Sequence, residues 1–296
     1  MNNTMPALSI IIPVYPNYKW ILRMMQSINI QSMKNDIEVI IVADGFNNEL
    51  EENEIAFQFD DLNICFIHHE TNKGTFAARM TGLYAANGKW IHFADMDDVF
   101  ENYLHLAIED AEKENVDVIR TNRLDTRTSR KKYRILPKRK RFITSDERID
   151  YFFGISESTH PFPLWDKIVN RNFMINTMDD IFSKTFLRKD TYMITGDDVI
   201  MSFGIYANAS KFLENTFIGN YIWMKDNPCA GTTITWSNNI PDDKKHLQET
   251  YRKQGEECHA YVYQYAKALD ISWKSCYSRY SKSKRACEKI LSQLER

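Results

Sequence analysis

Between residues 8 and 119, short apolar runs alternate with stretches whose apolar residues recur at helical spacing, and few architectures accept that order. Residues 8–15 (LSIIIPVY) are a β-branched run closed by Pro13, the pattern of a buried strand in the middle of a parallel sheet. Residues 37–43 (IEVIIVA) read as a second buried strand that stops on the turn signal Asp44-Gly45, and residues 64–67 (ICFI) as a third. Helical spacing joins Ile21, Met24, Met25 and Ile28. It also joins Phe76, Met80, Leu83 and Tyr84 within residues 72–87, with Gly88 as the stop. Leu104, Ala107, Ile108 and Ala111 repeat it within 101–114, and a strand over 116–119 follows. The expected fold is α/β, a Rossmann-like, mostly parallel sheet flanked by helices. Ligands of such sheets bind at the carboxyl ends of the strands, where Tyr15, Asp44 and Asp95 all fall.

The stretch that carries the chemistry is KWIHFADMDDVF, residues 89–100: an apolar run over 90–94, then the carboxylates Asp95, Asp97 and Asp98. Acidic side chains are poor strand formers and costly to bury alone, so they belong at the strand's exit. Charges this close repel unless a cation lies between them, and a divalent ion held by hard oxygens can in turn hold a phosphate. The same residues also suit an acidic turn in which Asp98 caps a helix starting near Glu101.

Beyond residue 122 the composition turns cationic: Arg123, Arg127, Arg130, Lys131, Lys132, Arg134, Lys138, Arg139, Lys140 and Arg141. Such a run reads as a solvated loop or as a patch that meets an anionic acceptor at a membrane surface. PFPLWDKIV (161–169) is an aromatic-rich loop entering a short strand or helix, and Trp165 has the flat apolar face on which sugar rings pack. Thr195-Gly196-Asp197-Asp198 opens a helix with Val199, Phe203 and Tyr206 inward; acids in a first turn suit the helix dipole whether they cap or react. Residues 217–225 read as a strand, 227–235 as a loop able to cover a ligand, and 241–269 and 273–294 as helices. These helices are expected to pack on the catalytic body or on a second subunit. A membrane-surface role for the last one is the lesser reading, because its apolar face is thin.

Bulk properties narrow the classes. A net charge of -2 over 296 residues gives no case for nucleic acid as a partner. Cys65, Cys229, Cys258, Cys276 and Cys287 form no CxxC pair, so neither a disulfide framework nor a zinc site is indicated and a reducing, cytoplasmic location is expected. No apolar run approaches the ~18 residues of a membrane span.

Four pieces, SIIIPVYPN, EVIIVADGFNN, NKGTFAARMTGLYAANGKWIHFADMDD and the order joining them, together resemble the N-terminal half of family 2 glycosyltransferases, nucleotide-sugar enzymes of the GT-A fold. The resemblance implies that Pro13 and Tyr15 border the nucleobase and that Asp44 bonds the base or ribose, with Lys73 and Met96 also on the donor. Asp95 and Asp97 would be a DxD pair, Asp95 towards the ribose and Asp97 on a Mn²⁺ or Mg²⁺ that bridges the diphosphate. Arg79 would pair with these acids or with phosphate. Ala43-Asp44-Gly45 departs from the two acids usual before the glycine, and Phe46 stands where a small hydroxyl residue is common. Later, Trp165 and Asp166 resemble an acceptor-side segment. GDDVIMSFGIY is similar to a G-E-D signature, with Asp197 at the glutamate position and Asp198 at that of the base. The implied organisation is a nucleotide-sugar half over 1–125, an acceptor half over 126–235 and a helical extension over 236–296. The implied activity is metal-dependent, inverting transfer from a nucleotide sugar, UDP-linked, to a glycan or lipid-linked acceptor in surface polysaccharide synthesis. A nucleotidyltransferase would be expected to carry a Gly-rich phosphate loop after the first strand, and PVYPNYKW has no glycine. A non-catalytic sugar-binding module would not need both acid groups.

Overall fold

In the computed structural model, which describes residues 5–125, 133–134, 138–153, 161–219, 221–224, 245–272 and 283–295, the alternation read from the first 120 residues becomes a sheet with helices on both faces. The first part runs β1 (Leu8–Val14), α1 (Ile21–Asn29), β2 (Ile37–Asp44), α2 (Glu49–Gln58), β3 (Asn63–His69), α3 (Gly74–Ala85) and β4 (Trp90–Phe93). It continues through β5 (Val99–Phe100), α4 (Leu104–Glu114), β6 (Val118–Arg120), β7 (Arg123–Asp125), β8 (Tyr133–Arg134), β9 (Lys140–Ile143), α5 (Ser145–Phe152), β10 (Lys167–Asn170) and α6 (Arg171–Lys184). The last elements are α7 (Asp197–Asn208), β11 (Phe212–Asn215), β12 (Tyr221–Trp223), α8 (Lys245–Ala268) and α9 (Lys284–Leu294).

The main sheet has the order β3-β2-β1-β4-β10-β6-β11-β9. β3, β2, β1 and β4 are mutually parallel, whereas β10 is antiparallel to both β4 and β6, and β9 to β11. β10 comes from the expected acceptor half yet sits between two strands of the donor half. Period-two alternation explains the layering. Leu8, Ile10, Ile12 and Val14 of β1 share a core with α1 and α4, while Ile11 faces the opposite core built by α3, α5, α6, α7 and α8. That second core draws on residues on both sides of positions 125 and 235. A smaller sheet, β5-β12-β7-β8, stands beside the end of β4.

Some local expectations change. The strand expected over 217–225 is only β12, because residues 216–219 turn, with φ +85° at Gly219; β11, before that turn, is a strand outside the expected range. Gly88 does not stop α3, which ends at Ala85 with Ala86 as its cap. Its job is close approach: a Cβ there would lie 2.5 Å from the Ser9 nitrogen, and its N–H donates to Ser9 Oγ at 2.8 Å. The loop expected over 227–235, and part of the helix expected over 273–294, lie outside the described residues. Among the described residues, no helix is long and apolar enough to cross a membrane.

Candidate functional site

Ile11 pairs with Phe93 and Val14 with Ala43, so Tyr15, Asp44 and Asp95 leave neighbouring strands at the same carboxyl edge. Tyr15 is 52% exposed, with Pro13 half-buried behind it.

Asp44 differs from its expected role. It lies opposite His69 in the β2–β3 register, and its Oδ1 meets His69 Nδ1 at 2.7 Å. The same oxygen accepts the Lys73 N–H at 2.8 Å, and Oδ2 accepts the Gly74 N–H at 2.8 Å. Both oxygens are occupied, so Asp44 ties two strands to the start of α3 instead of standing open to a base or ribose. Lys73 likewise joins the strand ends through its backbone. Its side chain lines a groove of about 560 Å³ with Ala77, Tyr84 and Lys189, on the face of α3 opposite Arg79. Phe46, in place of a small hydroxyl residue, packs edge-on against Tyr18 at 5.0 Å between ring centroids.

The acids after β4 divide by burial. Asp95 and Asp97 are partly exposed, and Met96 between them packs on the core shared with Trp165 and Phe46. Asp98 is fully buried and accepts the Met224 N–H at 2.7 Å. Burial, then the charges of Asp95 and Asp97, push its carboxyl well above the ordinary range. It caps no helix, since α4 begins at Leu104 behind Tyr103. Two residues with no motif to announce them hold this turn. The Asp95 N–H donates to the Tyr221 hydroxyl at 2.9 Å, and the Arg23 guanidinium donates to the Asp97 carbonyl.

Arg79 joins the two halves of the chain. One arm of its guanidinium donates to Asp95 Oδ1 at 2.7 Å and the other to Asp197 Oδ2. Arginine's fixed fork is suited to spanning two carboxylates. Burial alone would lower its pKa, but Asp197, Asp95 and Asp198 reverse that and keep it charged. Asp197 and Asp198 open α7 behind Gly196, whose φ of +85° lets the chain turn into the helix. Asp197 is buried against Arg79. Asp198 is half-buried, and burial, then the neighbouring charge of Asp197, raise its carboxyl to about 7, with Arg79 and Lys167 opposing.

Trp165 stacks on Tyr221 (4.8 Å, 16°), and Tyr221 on His92 (6.0 Å, 19°). The expected acceptor tryptophan and the backbone of Asp95 therefore share one aromatic column. His92 is fully buried, and burial lowers it to about 4, so it is neutral there. Asp166 corrects its expected acceptor role. It is fully buried, with Oδ2 on Arg120 at 3.0 Å and Arg123 at 2.9 Å and Oδ1 on Lys167 at 2.7 Å. Burial alone would raise its carboxyl, but these three cations hold it at about 2. Three cations of the basic run are also paired: Arg139 with Glu214, Lys140 with Asp110, and Arg141 with Glu147. The side chains of 127, 130–132 and 134 lie outside the described residues.

Among the described residues, no group of three or more His, Cys, Asp and Glu side chains is placed to hold a metal unaided. A Mg²⁺- or Mn²⁺-type nucleotide site needs only one or two carboxylates, which share the ion with substrate phosphates. Asp97 and Asp95 carry hard carboxylate oxygens at the strand exit.

Comparison with known proteins places this geometry. Residues 9–192 match the family described as Glycosyl transferase family 2. The chain is 27% identical over 252 residues to EpsJ, an uncharacterized glycosyltransferase of Bacillus subtilis (strain 168), covering 83% of this chain and 68% of EpsJ. It spans only 15–16% of the length of rickettsial glycosyltransferases matched over 92 to 108 residues. Among solved structures, S. aureus TarS 1-349 in complex with UDP-GlcNAc superposes with a TM-score of 0.58 at 16% identity, covering 89% of this chain and 82% of TarS. The mannosyltransferase PcManGT of Pyrobaculum calidifontis, in complex with GDP-Man and Mn²⁺, gives 0.55 at 14% identity, covering 99% and 70%. The sheet with its flanking helices is thus the GT-A fold.

Proposed function

The chain belongs to the family 2 glycosyltransferases, and from that premise we propose that it is a metal-dependent, inverting enzyme that moves a sugar from a UDP-sugar to a hydroxyl of a glycan or lipid-linked oligosaccharide in surface polysaccharide synthesis. The observation that carries this reading is the Arg79 fork. It brings Asp95, from the end of β4, and Asp197, from the start of α7, to one guanidinium although 102 positions separate the acids in sequence. A donor diphosphate at the strand ends and an acceptor hydroxyl beside α7 then meet at one place.

Asp97 and Asp95 would hold a Mn²⁺ or Mg²⁺. When bound, such an ion neutralises charge gathering on the leaving diphosphate. TarS, with UDP-GlcNAc, supports a uridine donor, and PcManGT, with Mn²⁺, supports the metal. The Tyr15 ring offers the nucleobase a stacking surface, and Trp165 stands towards the acceptor. The acceptor oxygen attacks the anomeric carbon, the bond from that carbon to the diphosphate oxygen breaks, and the hydroxyl proton passes to Asp198. Asp198 suits this step better than Asp197, which is tied to Arg79; a carboxyl near 7 gives up and takes a proton readily at neutral pH.

A panel of nucleotide sugars assayed for released UDP or GDP, with and without Mn²⁺, identifies the donor. Asp97→Asn should abolish metal-dependent donor binding measured by calorimetry. Asp198→Asn should leave donor binding intact and lower turnover on the order of 10²–10⁴-fold. Equal loss of donor binding in both variants would make Asp198 structural.

A further inference from the structure

The segment that delivers the acid pair of α7 lies just past residues 9–192, the stretch that the family description matches. One side of it rests on α3: the Met193 carbonyl accepts the Phe76 N–H at 3.1 Å and sits where a Cβ on Gly74 would come within 2.5 Å. The other side is held by α8. Gln254 Oε1 accepts the Ile194 N–H at 2.9 Å, and Gln254 Nε2 donates to the Tyr192 carbonyl at 3.2 Å. One turn further along the helix, Cys258 Sγ donates to the Gly196 carbonyl at 2.6 Å. A Cβ on Gly196 would approach Cys258 Cβ to 3.0 Å, so the turn and the helix are in direct contact. Gln264, further along α8, accepts the Phe186 N–H at 3.0 Å.

We propose that Gln254 and Cys258 are positioning residues for the Asp197–Asp198 turn, so that α8 completes the catalytic site without touching substrate. The physical case rests on backbone accounting. Tyr192 and Ile194 lie in an irregular segment with no strand or helix to pair their backbone groups, and the Gly196 carbonyl takes the Cys258 thiol beside the Val199 N–H of α7 at 3.0 Å. Gln254 is 7% exposed and Cys258 fully buried, so water does not readily replace their hydrogen bonds. Gly196 is the residue immediately before Asp197, and a shift in its carbonyl direction turns the first helical residues with it. Proton transfer needs the base within hydrogen-bond reach of its hydroxyl, so a small displacement is felt in turnover before it is felt in donor binding.

This inference rests on Asp198 being the base, and the test separates the two ideas. Gln254→Met keeps the bulk and removes both hydrogen bonds, and Gln254→Glu keeps the acceptor for the Ile194 N–H. Thermal unfolding establishes that each variant is folded. Hydrogen exchange of the amides of residues 192–198 should be faster in Gln254→Met and in Cys258→Ala. In Gln254→Met, kcat should fall about tenfold with the donor KM within about twofold of the parent, and Gln254→Glu should recover part of the loss. Unchanged exchange in both variants overturns the positioning role, and so does faster exchange with unchanged kcat. Retained turnover in Asp198→Asn overturns the base assignment alone, and the exchange measurement still decides whether α8 holds the turn.

Discussion

Arg79→Met removes the cation between Asp95 and Asp197 while keeping an apolar side chain in the space. Side-chain exposure is 7% for Arg79, 5% for Asp197 and 35% for Asp95. Breaking a buried ion pair by deleting one member costs about 3–5 kcal/mol, because the other charge is left without a partner. Nearly all of that cost falls on Asp197; solvent screens the more open Asp95, whose share is below about 1 kcal/mol. The diagnostic effect is on the neighbour. Asp198 stands at about 7 because burial and Asp197 raise it while Arg79 pulls it down. Loss of a nearby opposite charge moves a carboxyl by about 1–3 units, which carries Asp198 to about 8 or higher. A general base works deprotonated, so the rate falls as pH drops below its pKa. The acid limb of kcat, read from diphosphate release, should therefore start near pH 7 in the parent enzyme and move in the alkaline direction in Arg79→Met. Turnover at pH 7 should fall at least about tenfold and be partly regained at about pH 9. A limb that stays in place, or moves to lower pH, refutes the electrostatic coupling between Arg79 and Asp198.

Asp166→Asn leaves Arg120, Arg123 and Lys167 buried without their shared counter-charge. It should cost about 3–5 kcal/mol in urea unfolding, whereas an unchanged midpoint would show that the cluster is not held this way. Tyr221→Phe removes the acceptor of the Asp95 N–H but keeps the stacked ring. It should raise the Mn²⁺ concentration for half-maximal activity several-fold, in line with about 1 kcal/mol for one hydrogen bond, and an identical metal titration would refute the link. Gly88→Ala places a Cβ 2.5 Å from the backbone of Ser9. It should destabilise by about 1–3 kcal/mol in thermal unfolding, and a neutral result would mean that β1 and the turn separate freely.

The first half of the chain was legible because parallel strands buried on both faces must be nearly all apolar. Ile10 to Ile12 and Val39 to Val42 could be little else, and the carboxyl edge of the sheet followed from their direction. Asp44 was read correctly as a strand-end acid and incorrectly as an open one. Its neighbour in register is His69, and a sequence does not state which strands are adjacent. Asp166 was read as an acceptor-side acid for a related reason. Beside Trp165 it looks like a surface acid, and the arrival of Arg120 and Arg123 from β6 and β7, with Lys167 next to it, makes its burial tolerable. The cationic run was ambiguous because its counter-charges Asp110, Glu147 and Glu214 come from α4, α5 and β11. The direction of β10, antiparallel within the expected mostly parallel sheet, was not legible, since a strand of four residues carries too little pattern to show it.

The adjacent acids of α7 show how one local sequence yields two chemical roles. Successive residues of a helix point about 100° apart, so Asp197 and Asp198 cannot share one partner at the same depth. Asp197 is turned into the guanidinium, where its charge is matched. Asp198 is left beside that charge in a half-buried position and is driven up to about 7. Environments that push two titratable groups apart are what distinguishes a holding acid from a reacting one. The guanidinium that fixes the first is also the one that keeps the second from rising further. A single residue from α3 thereby sets both the geometry and the proton affinity of an acid pair more than a hundred positions away in sequence.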